Sequence, residues 1–203
     1  MFTGIVEEIG EILEIRKMSK EAIQLTIGAK VILEDIKIGD SISVNGICLT
    51  VTHFTSRNFQ VDVMPETIQA TSLVDVQVGS GVNLERSLQP TGRFGGHFVT
   101  GHVDGVGKII RKKALHNAVY YDIKIPESLK TFFIMKGSVA VDGVSLTIFG
   151  VDMSKNYLTI SLIPHTMDVT ILGTKEIGDV VNIECDMLAK HVHHYLENVK
   201  EGL

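Results

Sequence analysis

Residues 45–51 read NGICLTV and residues 142–148 read DGVSLTI, one heptapeptide written twice at a spacing of 97 positions, with Cys48 exchanged for Ser145. The pair belongs to a larger series. TGIVEEIGEI at 3–12 returns as TGHVDGVGKI at 100–109, and VNGICLT at 44–50 as VDGVSLT at 141–147. MPETIQATSL at 64–73 returns as IPHTMDVTIL at 163–172, and GSGVNLE at 79–85 as GDVVNIE at 178–184. Four blocks in one order, with two residues of drift, mark a duplicated domain. The copies are predicted over 1–96 and 97–188, followed by a tail over 189–203. The join falls in the glycine-rich PTGRFGGHF at 90–98, where few contacts need cross.

Within each copy the dominant period is two. SISVNGI, NFQVDVM and YLTISLI alternate apolar and polar residues, the pattern of strands with one buried face. Copies of this size with many short strands predict an all-β fold of two tandem, small, closed Greek-key β-barrels, because closure removes exposed sheet edges. Helical signals are few. Pro65 and Pro164 suit the first position of short helices, where the missing N–H costs nothing, and PESLKTFF at 126–133 reads as another helix. In the tail, Leu188, Val192, Tyr195 and Val199 form one stripe of an amphipathic α-helix. That stripe packs either on its own domain or against further copies of the chain, since a terminal helix without a partner rarely stays folded.

Composition narrows the function classes. The 203 residues are 44% hydrophobic, ample for two cores, and a net charge of -5 argues against nucleic acid. No apolar run approaches the roughly 18 residues of a membrane helix, and MFTGIVEEIG lacks the pattern of a signal peptide. The two cysteines, Cys48 and Cys185, have no zinc-ligand spacing and fit a reducing compartment, so a cytoplasmic location is expected.

HVHH at 191–194 sets His191 and His194 one helical turn apart, but no third ligand recurs at a convincing spacing, and the stretch reads as a solvated helix face. Cys48, in an apolar strand, reads as a small buried hydrophobe or as a nucleophile. Differences between the copies are more informative. Where the first has Ile5, Cys48 and Ser87, the second has His102, Ser145 and Asp186. One half is apolar and thiol-bearing there; the other carries a base, a hydroxyl and a carboxylate. The shared pairs Leu49–Thr50 and Leu146–Thr147 join an apolar wall to a hydroxyl, which suits a flat heterocycle. Pro65/Thr67 and Pro164/Thr166 read as helix capping, or as N–H groups and hydroxyls offered to a polyol chain.

Taken together, MFTGIVE, VNGICLTV, DVMPET, GGHFVTGHVDG, DGVSLTI, SLIPHT and VNIECDM resemble the riboflavin synthase family, trimers of tandem lumazine-binding barrels. The resemblance covers essentially the whole chain, the tail by position and character only. It implies a transferase that uses no cofactor and no metal. Two molecules of 6,7-dimethyl-8-ribityllumazine exchange a four-carbon unit, giving riboflavin and 5-amino-6-ribitylaminouracil. One lumazine per barrel explains the twice-written heptapeptide, because a dismutation needs a donor and an acceptor. The family's working site joins the first barrel of one subunit to the second of a neighbour, which makes a homotrimer meaningful and gives the tail helix a task.

Carried over by position, the resemblance lines the first pocket with Gly4, Ile5, Val6, Cys48, Leu49, Thr50, Asp62, Val63, Met64, Pro65, Glu66 and Thr67, with Phe2 beside it. It lines the second with Gly101, His102, Val103, Lys136, Ser145, Leu146, Thr147, Ser161, Leu162, Ile163, Pro164, His165 and Thr166. His102 with Thr147 is expected to assist proton removal from the C7 methyl of the lumazine. Ser145 and Asp186 are expected to assist addition of a nucleophile at C7 of the partner ring, with Cys48 either that nucleophile or a shaper of the pocket. The other reading is a non-catalytic lumazine- or flavin-binding antenna with the same barrels. Antenna proteins are expected to lose features of the second pocket, whereas TGHVDG, DGVSLT and IPHT are intact here. Some relatives associate with lumazine synthase; the sequence leaves that open, along with which pocket holds the donor.

Overall fold

The computed structural model describes residues 1–18 and 22–201. In the first copy β1 (Glu8–Lys17), β2 (Ile23–Gly28), β3 (Ser41–Val44), β4 (Ile47–Phe54), β5 (Asn58–Val63) and β6 (Gly81–Arg86) form a closed antiparallel barrel in the order β1-β2-β5-β4-β3-β6. In the second, β7 (Gly105–Leu115), β8 (Ala118–Lys124), β9 (Ser138–Val141), β10 (Val144–Asp152), β11 (Tyr157–Leu162) and β12 (Val180–Cys185) close in the same circuit. Alternation sets the cores. β5 turns Phe59, Val61 and Val63 inward, and β11 turns in Leu158, Ile160 and Leu162. Register shifts fall at matched places: Ile12/Glu14 and Val51/His53 in one barrel, Ile109/Arg111 and Ile148/Gly150 in the other. Each bulge bends its strand, which lets six short strands close a tight barrel.

The expected short helices are α1 (Pro65–Ala70) and α2 (Pro164–Val169), each with its proline in the first turn. Residues Glu127–Phe132, within the stretch read as a helix, form the tighter 3-10 turn instead. The tail is α3 (Met187–Glu201); residues 202 and 203 lie outside the described residues. Its stripe is open to solvent, with Leu188, Val192, Tyr195 and Val199 all exposed. Among the described residues no helix is long and apolar enough to cross a membrane.

The repeated heptapeptides begin in the turns that join β3 to β4 and β9 to β10. Asn45 and Gly46 (φ 48° and 79°) and Asp142 and Gly143 (φ 45° and 79°) give both turns the left-handed pair that two-residue hairpins require. The two turns touch. A Cβ on Gly46 would lie 2.7 Å from the amide nitrogen of Gly143, and the reverse holds. Around them the barrels exchange side-chain hydrogen bonds in pairs. Asn83 Nδ2 donates to the Asp142 carbonyl (2.9 Å) and Asn182 Nδ2 to the Asn45 carbonyl (2.8 Å). Asn83 Oδ1 accepts from the amide of Ile171 (2.8 Å), and Asn182 Oδ1 from that of Ser72 (2.7 Å). A buried amide side chain satisfied on both ends fixes one relative placement of the halves.

One charge breaks the symmetry. Asp142 is fully buried; its Oδ1 accepts the Asn182 N–H (2.8 Å), its Oδ2 has no hydrogen-bond partner, and Lys175 Nζ stands 3.9 Å away. Burial pushes this carboxyl up to about 6, with Lys175 and the Asn182 N–H pulling it back. Unfolded, it titrates near 4. The folded state therefore bears no penalty below that pH and loses on the order of 3 kcal/mol as pH rises through about 6. Asp142→Asn writes the residue of Asn45 into the second turn. It is expected to stabilise the protein at pH 7 by about 1–2 kcal/mol, part of the gain being offset by an amide N–H without an acceptor. The gain should vanish near pH 4. Melting temperatures of both proteins at the two pH values check this, and an equal shift at both overturns it.

Candidate functional site

Residues 1–7 lead into β1 and residues 98–104 lead into β7, and each leader lies against the other copy's barrel. The Gly4 carbonyl accepts the amide of Ser145 (2.8 Å), while the Gly101 carbonyl accepts that of Cys48 (2.9 Å). Val6 packs on the core of the second barrel and Val103 on that of the first. Where they cross, the leaders pair: Phe2 N–H donates to the Val99 carbonyl (2.7 Å) and Val99 N–H to that of Phe2 (3.2 Å). Phe2 and Val99 are completely buried there with Ala140, and Cys48 packs against them.

The repeated Thr-Gly is the fastening. Glu85 accepts Thr3 N–H (2.8 Å), the Thr3 hydroxyl (3.1 Å) and Gly4 N–H (3.0 Å); Glu184 accepts Thr100 N–H (2.6 Å), its hydroxyl (2.8 Å) and Gly101 N–H (2.9 Å). Burial still pushes the Glu85 carboxyl up to about 7, against those donors. Both glycines have positive φ (77° and 81°), which aims their carbonyls at the facing strand. A side chain has no room at either: a Cβ on Gly4 would lie 2.6 Å from Ser145 Cβ, and one on Gly101 2.5 Å from Cys48 Cβ.

The first pocket is consequently made by both halves. Ile47, Cys48, Glu66, Thr67, Ala70, Thr71, Gly101, His102 and Val103 line a cavity of about 290 Å³. β4 turns Leu49 into the core and leaves Cys48 and Thr50 on the outer face. Asp62 lies near the end of β5, and Met64 and Pro65 lead into α1.

Around Ser145 the groups are polar. Its Oγ lies 2.7 Å from Nδ1 of His97, a residue 8% exposed whose Nε2 is buried without a partner. Burial holds His97 below the ordinary imidazole value, while the charge of Asp186 pulls the other way. His97 is thus neutral at pH 7. In the tautomer with the proton on Nε2, its Nδ1 accepts the serine hydroxyl, the arrangement of a general base. Thr147 shares the outer face of β10 with Ser145. Ser161 lies on β11, the neighbouring strand, with Ile163, Pro164, His165 and Thr166 following into α2. Lys136 has φ 68°, where the first copy has Gly39, and its ammonium sits 4.6 Å from the Phe149 ring centroid.

These contacts correct the grouping by copy. Gly4, Ile5 and Val6 belong with Ser145, and Gly101, His102 and Val103 with Cys48, because the leaders cross. His102 and Thr147 therefore serve different barrels. Leu49, Val63 and Leu162 face the cores, since strand alternation points them inward; Leu146 packs partly against the second core. The stretch 90–98 is not a sparsely contacted link. A Cβ on Gly96 would lie 2.0 Å from the Thr3 carbonyl oxygen, and His97 N–H donates to that same oxygen (3.1 Å). Sequence reasoning misses His97 for that reason; its lone imidazole beside two glycines is the available signal. In the HVHH run, the His193 ring lies tilted against that of Phe132 (centroids 5.0 Å apart) and faces Glu197, and His194 contacts Asn198. Among the described residues no three His, Cys, Asp or Glu side chains converge to hold a metal ion.

Comparison with known proteins identifies the repeat. The lumazine binding domain model fits twice, over residues 3–87 and 100–186. Riboflavin synthase of Bacillus subtilis (strain 168) is 57% identical over 202 residues, covering all of this chain and 93% of that protein. Riboflavin synthase of Bacillus amyloliquefaciens is 53% identical, covering 99% and 92%. The crystal structure of LumP complexed with 6,7-dimethyl-8-(1'-D-ribityl) lumazine superposes with a TM-score of 0.81 at 28% identity, covering 91% of this chain and 98% of LumP. With two lumazine binding domains spanning nearly its whole length and relatives this similar over more than nine-tenths of theirs, the chain belongs to the riboflavin synthase family.

Proposed function

We propose that the protein dismutates 6,7-dimethyl-8-ribityllumazine, moving a four-carbon unit from one molecule to another to give riboflavin and 5-amino-6-(ribitylamino)uracil, the last step of riboflavin biosynthesis. The carrying observation is the crossing of the leaders. It supports a reading in which one repeat yields two unlike sites, each with its own imidazole: a cavity with His102 beside Cys48, and His97 bonded to Ser145. A reaction between two copies of one substrate needs two such pockets that differ in chemistry.

The C7 methyl of the lumazine is a carbon acid whose anion spreads over the ring and its carbonyl oxygens. Positioning two rings and stabilising that charge lowers the barrier without a metal or an added cofactor. His102, open at the mouth of the first pocket, takes the methyl proton. Ser145, activated by His97 in the field of Asp186, assists addition at C7 of the second ring. Cys48 shapes the first pocket: its N–H is tied to Gly101 and its side chain packs on the Phe2–Val99–Ala140 cluster. The two free thiols, Cys48 and Cys185, suit the cytoplasm. The test is to incubate purified protein with the lumazine alone. Riboflavin and the pyrimidine should accumulate in equal amounts; tight fluorescent binding without product would instead make the protein an antenna.

The exposed stripe of α3 supports a homotrimer, in which three tails cover one another's apolar faces. Truncation before Lys190 strips Val192, Tyr195 and Val199 from the stripe. It should leave both barrels folded, convert the trimer to monomer by light scattering, and cost most of the activity. A truncated protein that stays trimeric removes this role from the helix.

A further inference from the structure

Each leader ends on a carboxylate, and the two copies complete it differently. In the first, Glu7 donates its N–H to the Leu84 carbonyl (2.9 Å). Its carboxylate accepts the backbone N–H of Arg86 (2.7 Å) together with the guanidinium of that same residue (Nε at 2.9 Å). In the second, Asp104 donates its N–H to the Ile183 carbonyl (2.9 Å), and its carboxylate accepts the backbone N–H of Cys185 (2.8 Å). The residue matched to Arg86 is here Cys185, wholly buried among Val139, Phe133 and Ile183, and it offers no cation. The cation comes from the tail. Lys190, in the first turns of α3, places Nζ 3.0 Å from both Asp104 oxygens.

We infer that Lys190 is a positioning residue: through Asp104 it fixes the leader that carries His102 into the first pocket, so the seating of the tail helix sets the placement of that imidazole. The inference rests on the reading of His102 as a first-pocket group. Three features carry it. Asp104 stands two residues after His102, with only Val103 between. The pair is partly shielded, the side chains of Lys190 and Asp104 being 27% and 21% exposed, so it is screened less than a surface ion pair. Finally, the matched position in the first barrel already has its cation, which shows that the carboxylate at a leader's end is built to receive one. Without Lys190, Asp104 keeps a single N–H donor and a partly desolvated charge, and the leader gains freedom to shift towards water. The helix that offers its apolar stripe to other subunits would thereby also hold a wall of the first pocket.

The experiment uses the full chain with Lys190→Met, which keeps the aliphatic stem, Lys190→Arg, which keeps the charge, and His102→Gln. The His102 imidazole signal in a proton–carbon NMR spectrum is identified by its loss in His102→Gln. In Lys190→Met that signal should move, and in Lys190→Arg it should return close to its wild-type position. Asp104→Asn, which retains an acceptor for the Cys185 N–H, should move it in the same way as Lys190→Met and serves if that variant folds poorly. In turnover, Lys190→Met should lower kcat about tenfold with little change in KM, short of the roughly 10²-fold that a 1 Å misplacement can cost. Adding it to His102→Gln should produce no further loss, because both changes act on one group. An unmoved His102 signal in Lys190→Met, or losses that multiply in the double variant, overturns the inference. Should the wild type bind lumazine without turning it over, the dismutation reading fails, and the NMR comparison still decides the role of Lys190.

Discussion

Gly101→Ala is expected to destabilise the protein by about 2–5 kcal/mol and, on the proposed reading of one lumazine per barrel, to remove one of two ligand sites. Two costs add. The left-handed φ of 81° is disfavoured for alanine by about 1–2 kcal/mol. The new Cβ would also lie 2.5 Å from Cys48 Cβ and 2.8 Å from Cys48 N, and a strand backbone inside a closed barrel yields only with overpacking strain of about 1–3 kcal/mol. Relief requires the leader to withdraw, which breaks the bond from Cys48 N–H and takes His102 and Val103 out of the first pocket. Gly39→Ala is the control: its φ is 93°, but nothing lies within 4 Å of the added Cβ, so only the backbone cost applies. Thermal melts of both variants and fluorescence titration with lumazine distinguish the two cases. If Gly101→Ala melts no lower than Gly39→Ala and still binds two ligands, the leader does not form the wall of the first pocket. Gly4→Ala should act in the same way on the Ser145 side.

The duplication, the closed barrels, the proline-led helices and the tail were all legible, because each has a local signature: a repeat spacing, a period of two, a proline at a helix start, a stripe at helical spacing. The crossing had none. A repeat shows that TGIV and TGHV are equivalent, but equivalence within the chain is silent on which barrel each one touches. That depends on the pseudo-twofold contact of the turns at Gly46 and Gly143, a tertiary relation between residues 97 positions apart. The inward direction of Leu49 was available, since Ile47 and Val51 on the same strand fix the buried face; reading the Leu-Thr pair as a unit obscured it. His97 was lost to composition, because a glycine-rich stretch reads as a link. Gly96 is instead what allows the backbone to run close against Thr3 and Ser145, where a Cβ has no room.

Crossing the leaders also reassigns the chemistry, and kinetics can separate the halves. His97→Gln and Ser145→Ala should each lower kcat by about 10²-fold, the low end for a positioned acid or base, while KM changes little. The imidazole is held neutral by burial and bonded to Ser145 Oγ at 2.7 Å, so its contribution appears when the hydroxyl must give up its proton rather than when the ring binds. Because the two residues act as one unit, the double variant should be no slower than either single one. Asp186→Asn removes the charge that favours the protonated imidazole, and should lower kcat by a smaller factor. It should also lower the pH at which the variant's remaining activity is half-titrated, since without that charge His97 gives up its proton at lower pH. Cys48→Ser places the second copy's residue in the first barrel and should retain substantial activity, as its thiol packs against Phe2, Val99 and Ala140. Steady-state kinetics on these variants, with lumazine affinity measured separately, tells binding from chemistry at each position. Multiplying losses in the Ser145–His97 double variant would break the unit apart. An inactive Cys48→Ser that still binds lumazine would move the nucleophile to the thiol, and with it the chemical centre to the first pocket.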